Sequence, residues 1–117
     1  MSTEREALRL QDIVENIERI EGYVAGFDRD AFGADGMAVD AVERCLQRIT
    51  EAVLKIGPER MAAISPRTPI DAVRGLGKAL RHAYDELDLD VIWRTVRESL
   101  PALKADCQRA LDEGAAG

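Results

Sequence analysis

The chain has few aromatic side chains: one tryptophan, two tyrosines and two phenylalanines in 117 residues. That excludes an aromatic core, so the interior must be aliphatic. Cysteine is nearly as scarce. Cys45 and Cys107 stand far apart with no second pair, which excludes zinc-finger and Cys-x-x-Cys redox spacing. Each falls on an apolar helical stripe and reads as a small core residue. There is one histidine, His82, and the residue three before it is Ala79. The paired Glu-x-x-His motifs of a carboxylate di-metal bundle are therefore missing, and no metal or cofactor is expected. Ser2, Ser65 and Ser99 lack a nucleophile-elbow context, and G-L-G-K at 75–78 lacks the Walker spacing and follows no strand. No apolar run approaches the roughly 20 residues of a membrane span. Met1 leads into S-T-E-R-E without a signal-peptide pattern, so a soluble, cytoplasmic protein is expected. The net charge of −6 argues against broad, nonspecific nucleic-acid binding.

What remains is helical. The length predicts one domain over 1–117, and area scaling gives it a folded surface of about 6,300 Å². Leu10, Ile13, Ile17, Ile20, Val24 and Phe27 step by three and four, predicting a helix over 4–27. Ser2 or Thr3 is its cap, with Glu6 placed for a capping box if Thr3 serves. Residues 28–36 read as a loop. Val42, Leu46, Ile49, Val53 and Ile56 predict a helix over 37–56, flanked by the small residues Ala38, Ala41, Cys45 and Ala52. Residues 57–69, with three prolines, read as a loop with one short helical turn around 59–64. A third helix over 69–83 buries Val73, Leu76 and Leu80. Residues 85–90 read as a connection. Leu89, Trp93, Val96, Leu100, Leu103, Cys107 and Ala110 mark a fourth helix over 89–113, kinked or broken at Pro101, with 113–117 frayed. The fold class is all-α, an up-and-down bundle of four to five helices.

One stretch departs from the acidic background. Residues 74–84, R-G-L-G-K-A-L-R-H-A-Y, carry Arg74, Lys78 and Arg81 and no acid. These cations stand at i, i+4 and i+7 on one helical face. Gly75 and Gly77 cost about 1 kcal/mol each in a helix, which predicts a close approach or a bend there. Histidine suits proton transfer with an ordinary pKa near about 6.5, and arginine and lysine suit phosphate. Metal-free RNA cleavage needs a base for the 2′-hydroxyl, an acid for the leaving 5′-oxygen and positive charge on the phosphorane. One histidine is thin for both transfers, and a homodimer would supply a second. A solvated histidine at a helix end beside a basic face fits the same composition.

Leu80 to Lys104, L-R-H-A-Y-D-E-L-D-L-D-V-I-W-R-T-V-R-E-S-L-P-A-L-K, resembles the end of HepT-like proteins of the HEPN superfamily. The shared features are H-x-Y, an acidic turn, an apolar–tryptophan step and L-P-x-L-K. The segment A-V-E-R-C-L-Q-R-I-T-E-A resembles the family's A-V-x-R-x-L-x-x-I-G-E-A, with Thr50 for the glycine. The resemblance implies a dimerising bundle and a metal-independent ribonuclease acting as the toxin of a toxin–antitoxin pair. It also implies a cognate minimal nucleotidyltransferase antitoxin that adds AMP to the motif tyrosine. His82 matches the family histidine and Tyr84 the modified tyrosine. The family motif R-x(4–6)-H-x-Y would require arginine at 75, 76 or 77, which are Gly75, Leu76 and Gly77. Phosphate charge is left to Lys78, one turn from His82, with Arg74 and Arg81. The alternative is a non-catalytic HEPN-fold binding module that partners a nucleotidyltransferase.

Overall fold

A computed structural model of the chain describes residues 1–68, 70–80 and 86–116, with side chains at all of these but 70, 71, 74, 78, 86, 87 and 116. Among the described residues every regular element is helical. The elements are α1 (Thr3–Tyr23), α2 (Arg29–Ala34), α3 (Gly36–Ile56), α4 (Pro58–Ile64), α5 (Ile70–Leu80), α6 (Glu86–Arg94), a π-helical turn (Thr95–Ser99) and α7 (Leu100–Ala116). The four predicted helices are the four long helical runs, and the fold is an all-α bundle. No helix among the described residues is long and apolar enough to cross a membrane.

The seam read from the sequence is the core. Ile13, Ile17 and Ile20 of α1 are fully buried with Val42, Leu46, Ile49 and Val53 of α3. Full burial of such a side chain is worth about 1.5–3 kcal/mol. Ala38, Cys45 and Ala52 are buried too, so the small flank of α3 serves packing inside the chain.

Several local expectations are corrected. The loop expected at 28–36 contains α2, because Asp28 caps it by accepting from the Ala31 amide at 2.8 Å. Asp35 caps α3 in the same way, at 3.0 Å from the Ala38 amide. The single turn expected near 59–64 is the seven-residue α4, started by Pro58 after Gly57 at φ +91°. Ser2, not Thr3, caps α1, accepting from the Arg5 amide at 3.2 Å. No capping box forms, and Glu6 instead makes a paired 2.8 Å contact with Arg60 of α4. Residues 86–90, inside the expected connection, are helical and belong to α6. The third helix is described as far as Leu80, and positions 81–83 lie outside the described residues.

Pro101 neither breaks the last helix nor stops it. Thr95–Ser99, ending two residues before it, form the π turn, and the following Leu100 amide donates to the Thr95 carbonyl five residues back. The wider ring accommodates the missing proline amide. It also changes the seam. Leu89, Ile92, Val96, Leu100, Leu103 and Cys107 are buried, while Trp93 is half-buried against Phe32, ring centroids 5.1 Å apart. Ile92 thus takes the core position expected of Trp93.

Candidate active site

The site predicted from sequence lies on α5 and just beyond it. Arg74 and Lys78 occupy α5 one turn apart. Val73, Leu76, Ala79 and Leu80 form its buried side. At 100° per residue, positions 74 and 78 fall on the opposite face of the helix. Arg81, His82 and Tyr84 lie outside the described residues. An added Cβ at Gly75 or Gly77 would meet nothing within 4 Å. The expected close approach is therefore not made by any of the described residues.

What the structure adds is how α5 is held. Ser65 begins the turn that leads into it. Its hydroxyl donates to Asp106 Oδ2 of α7 at 2.7 Å and lies 2.9 Å from the Thr68 hydroxyl. Arg67 Nη2 donates to Asp106 Oδ1 at 2.6 Å, and Arg109 Nη2 to the same oxygen at 2.7 Å. Asp106 is 1% exposed. The Arg67 hydrogen bond, supported by Ser65 and Arg109, holds its carboxyl below the usual range against the opposing cost of burial. A buried carboxylate with this many donors is satisfied and geometrically fixed. Sequence reasoning passed over it because its partners are 39 and 41 residues away. The one available signal was an aspartate beside Cys107 on an apolar seam.

Behind α5, a cavity of about 140 Å³ lies between α3, α5 and the π turn, lined by Thr50, Val73, Leu76, Thr95, Ser99 and Leu100 among others. Thr50 Oγ1 is buried without a hydrogen-bond partner. No group of three or more His, Cys, Asp or Glu able to hold a metal ion occurs among the described residues.

The family model for "Ribonuclease HepT-like" matches residues 13–110, from α1 to the last turns of α7. The chain belongs to the HepT-like family. A protein of Thermococcus cleftensis named "Probable ribonuclease HepT" is 34% identical over 100 residues, covering 86% of this chain and 90% of that one. A protein of Methanocaldococcus jannaschii named a "Putative RNase" is 28% identical over 104 residues, covering 89% of this chain and 85% of its own. Another of that organism with the same description is 32% identical over 92 residues, 79% of this chain and 75% of the other. No solved structure matches. The HepT-like match takes in α5 and all five residues singled out in the sequence. It also takes in the Ser65–Asp106 anchor, so what holds α5 lies within the family's own extent.

Proposed function

We propose that this HepT-like chain is a metal-independent ribonuclease and the toxin of a toxin–antitoxin pair. The match of the ribonuclease HepT-like family over residues 13–110 carries this reading. The placement of Arg74 and Lys78 one turn apart on the outer face of α5 supports it. In this reading His82 moves the protons of the reaction. The 2′-hydroxyl loses its proton and attacks the adjacent phosphorus. The bond to the 5′-oxygen breaks, and that oxygen takes up a proton. Arg74, Lys78 and Arg81 stabilise the charge on the phosphorane. Two copies in a homodimer supply an acid and a base from paired His82 residues. The accessible surface of 6,922 Å² exceeds the roughly 6,300 Å² of a compact monomer this size, which suits a chain that shares surface with a second copy. A minimal nucleotidyltransferase antitoxin adds AMP to Tyr84, placing bulk and negative charge beside the histidine. The protein works in the cytoplasm as one domain over 1–117.

The deciding experiment expresses the chain without a partner and measures growth and RNA integrity. Wild type inhibits growth and cuts RNA, and His82→Ala does neither while remaining folded. The glycines at 75 and 77, where the motif arginine is expected, favour a second reading, a non-catalytic module that binds a nucleotidyltransferase. Under that reading His82→Ala changes nothing, and complex formation or an AMP adduct on Tyr84 is the only activity seen.

A further inference from the structure

A second cationic surface lies away from α5, along the outer groove between α1 and α3. Arg9, Asp12 and Asn16 of α1 and Arg48, Glu51 and Lys55 of α3 line one cavity of about 170 Å³. Two of its cations are neutralised at the rim, Arg9 by Asp12 at 3.5 Å and Lys55 by Glu51 at 3.4 Å. Arg48 has no carboxylate partner among the described residues, nor has Arg19. Arg44 donates to a neutral group, Gln47, at 3.3 Å. Arg48 lines the cavity itself, and Arg19 and Arg44 lie close enough for their charges, like that of Arg48, to act on the Cys45 thiol. Burial pushes the Cys45 thiol up, while Arg48, Arg19 and Arg44 all pull against it. Asn16, 6% exposed, forms part of the wall. Its Nδ2 donates to the Asp12 carbonyl at 2.7 Å, and its Oδ1 has no partner.

A groove serving only to tie α1 to α3 would pair its charges and satisfy its amide. This one leaves Arg48 in its wall, and Arg19 and Arg44 nearby, without a carboxylate partner among the described residues, on a protein of net charge −6. Uncompensated arginines along a groove are what a phosphodiester chain needs, since each guanidinium offers a forked pair of donors to phosphate oxygens. We propose that the α1–α3 groove is an accessory site for the phosphate backbone of single-stranded RNA. It would hold RNA apart from the residues that cleave it. The choice of RNA over another phosphate source rests on the ribonuclease reading above.

The test measures binding of a labelled single-stranded RNA to full-length His82→Ala protein across a range of salt concentrations. Arg48→Gln in that background is expected to weaken binding several-fold and lower the salt slope by about one. Arg48→Lys should recover most of the loss. Arg44→Gln, on the exposed face of α3 and paired only with neutral Gln47, gives the same sign with little risk to folding. Inorganic phosphate and AMP should compete only at high concentration. Unchanged affinity and slope in both Gln variants overturn the proposal. So does competition by AMP at the concentration of the RNA itself, which makes the groove a nucleotide pocket. Loss of self-association on sedimentation in place of a changed RNA slope makes it a contact between copies and equally overturns it. Cleavage by the wild type separates the two readings. Arg48-dependent binding without cleavage sinks the ribonuclease and leaves the groove, and cleavage indifferent to Arg48 does the reverse.

Discussion

Ser65 and Asp106 share a 2.7 Å hydrogen bond between side chains that solvent hardly reaches, 0% and 1% exposed. The bond fastens the turn before α5 to the middle of α7. Removing the carboxylate by Asp106→Ala leaves the buried Ser65 hydroxyl only its Thr68 partner and deletes the three hydrogen bonds from Arg67 and Arg109. The expected cost is on the order of 3 kcal/mol, read by chemical denaturation.

The same carboxylate sets an acid limit. Its pKa is lower folded than unfolded, so the unfolded chain binds more protons as pH falls. Stability from this group is complete above the ordinary aspartate value of about 4 and is lost as pH drops through the folded value. Glu6, lowered mainly by its hydrogen bond to Arg60, acts with the same sign. Denaturation midpoints should therefore fall steeply below about pH 4, and Asp106→Asn should be less stable at neutral pH with a shallower acid slope.

Thr50 carries a buried hydroxyl with no partner beside the cavity behind α5. Valine has the same shape without the unmet group. Thr50→Val is expected to stabilise the protein by about 1 kcal/mol, measured as a higher denaturation midpoint at unchanged slope. A loss of 1 kcal/mol would mean that the hydroxyl is satisfied in solution.

Gly75 and Gly77 sit inside α5 with open space where a Cβ would go. Alanine at each should stabilise the helix by up to about 1 kcal/mol. If both variants gain stability but lose growth inhibition, the glycines serve the approach of a ligand or a second chain. If activity is retained, they are only a helix cost.

Cys107 is fully buried, and burial, reinforced by the neighbouring Asp106 charge, pushes its thiol up to about 12. At pH 8 roughly one molecule in ten thousand carries the thiolate, by the definition of pKa. Disulfide-exchange reagents should modify it only at the rate at which the chain opens, and denaturant should release that block.

Much of the fold was legible because heptad-like spacing in an aliphatic chain has few alternatives. Ile13, Ile17, Ile20, Val42, Leu46 and Ile49 were core by pattern and are core in space. The short α2 was not legible. Six residues carry too little period, and only the Asp28 cap marks its start. Trp93 was placed one residue out of register, with Ile92 in the core instead, because the period of the last helix changes at the π turn. The candidate residues Arg74, Lys78, Arg81, His82 and Tyr84 were found from charge and resemblance, both local signals. The Asp106 anchor depends on residues far apart in sequence, and nothing near Asp106 announces Ser65 or Arg67.

The π turn at Thr95–Ser99 has one more consequence. Core positions 92, 96 and 100 step by four and four, which an α-helix would rotate about 80° off axis. The wider turn absorbs that rotation, so it acts as a one-residue phase shifter between two otherwise regular registers. A chain shortened by one residue there can form uninterrupted α-helix with both apolar stripes still inward. Deletion in this segment should be gentler than deletion anywhere else in α6 or α7, and relatives one residue shorter at this point can share the fold without rearranging it.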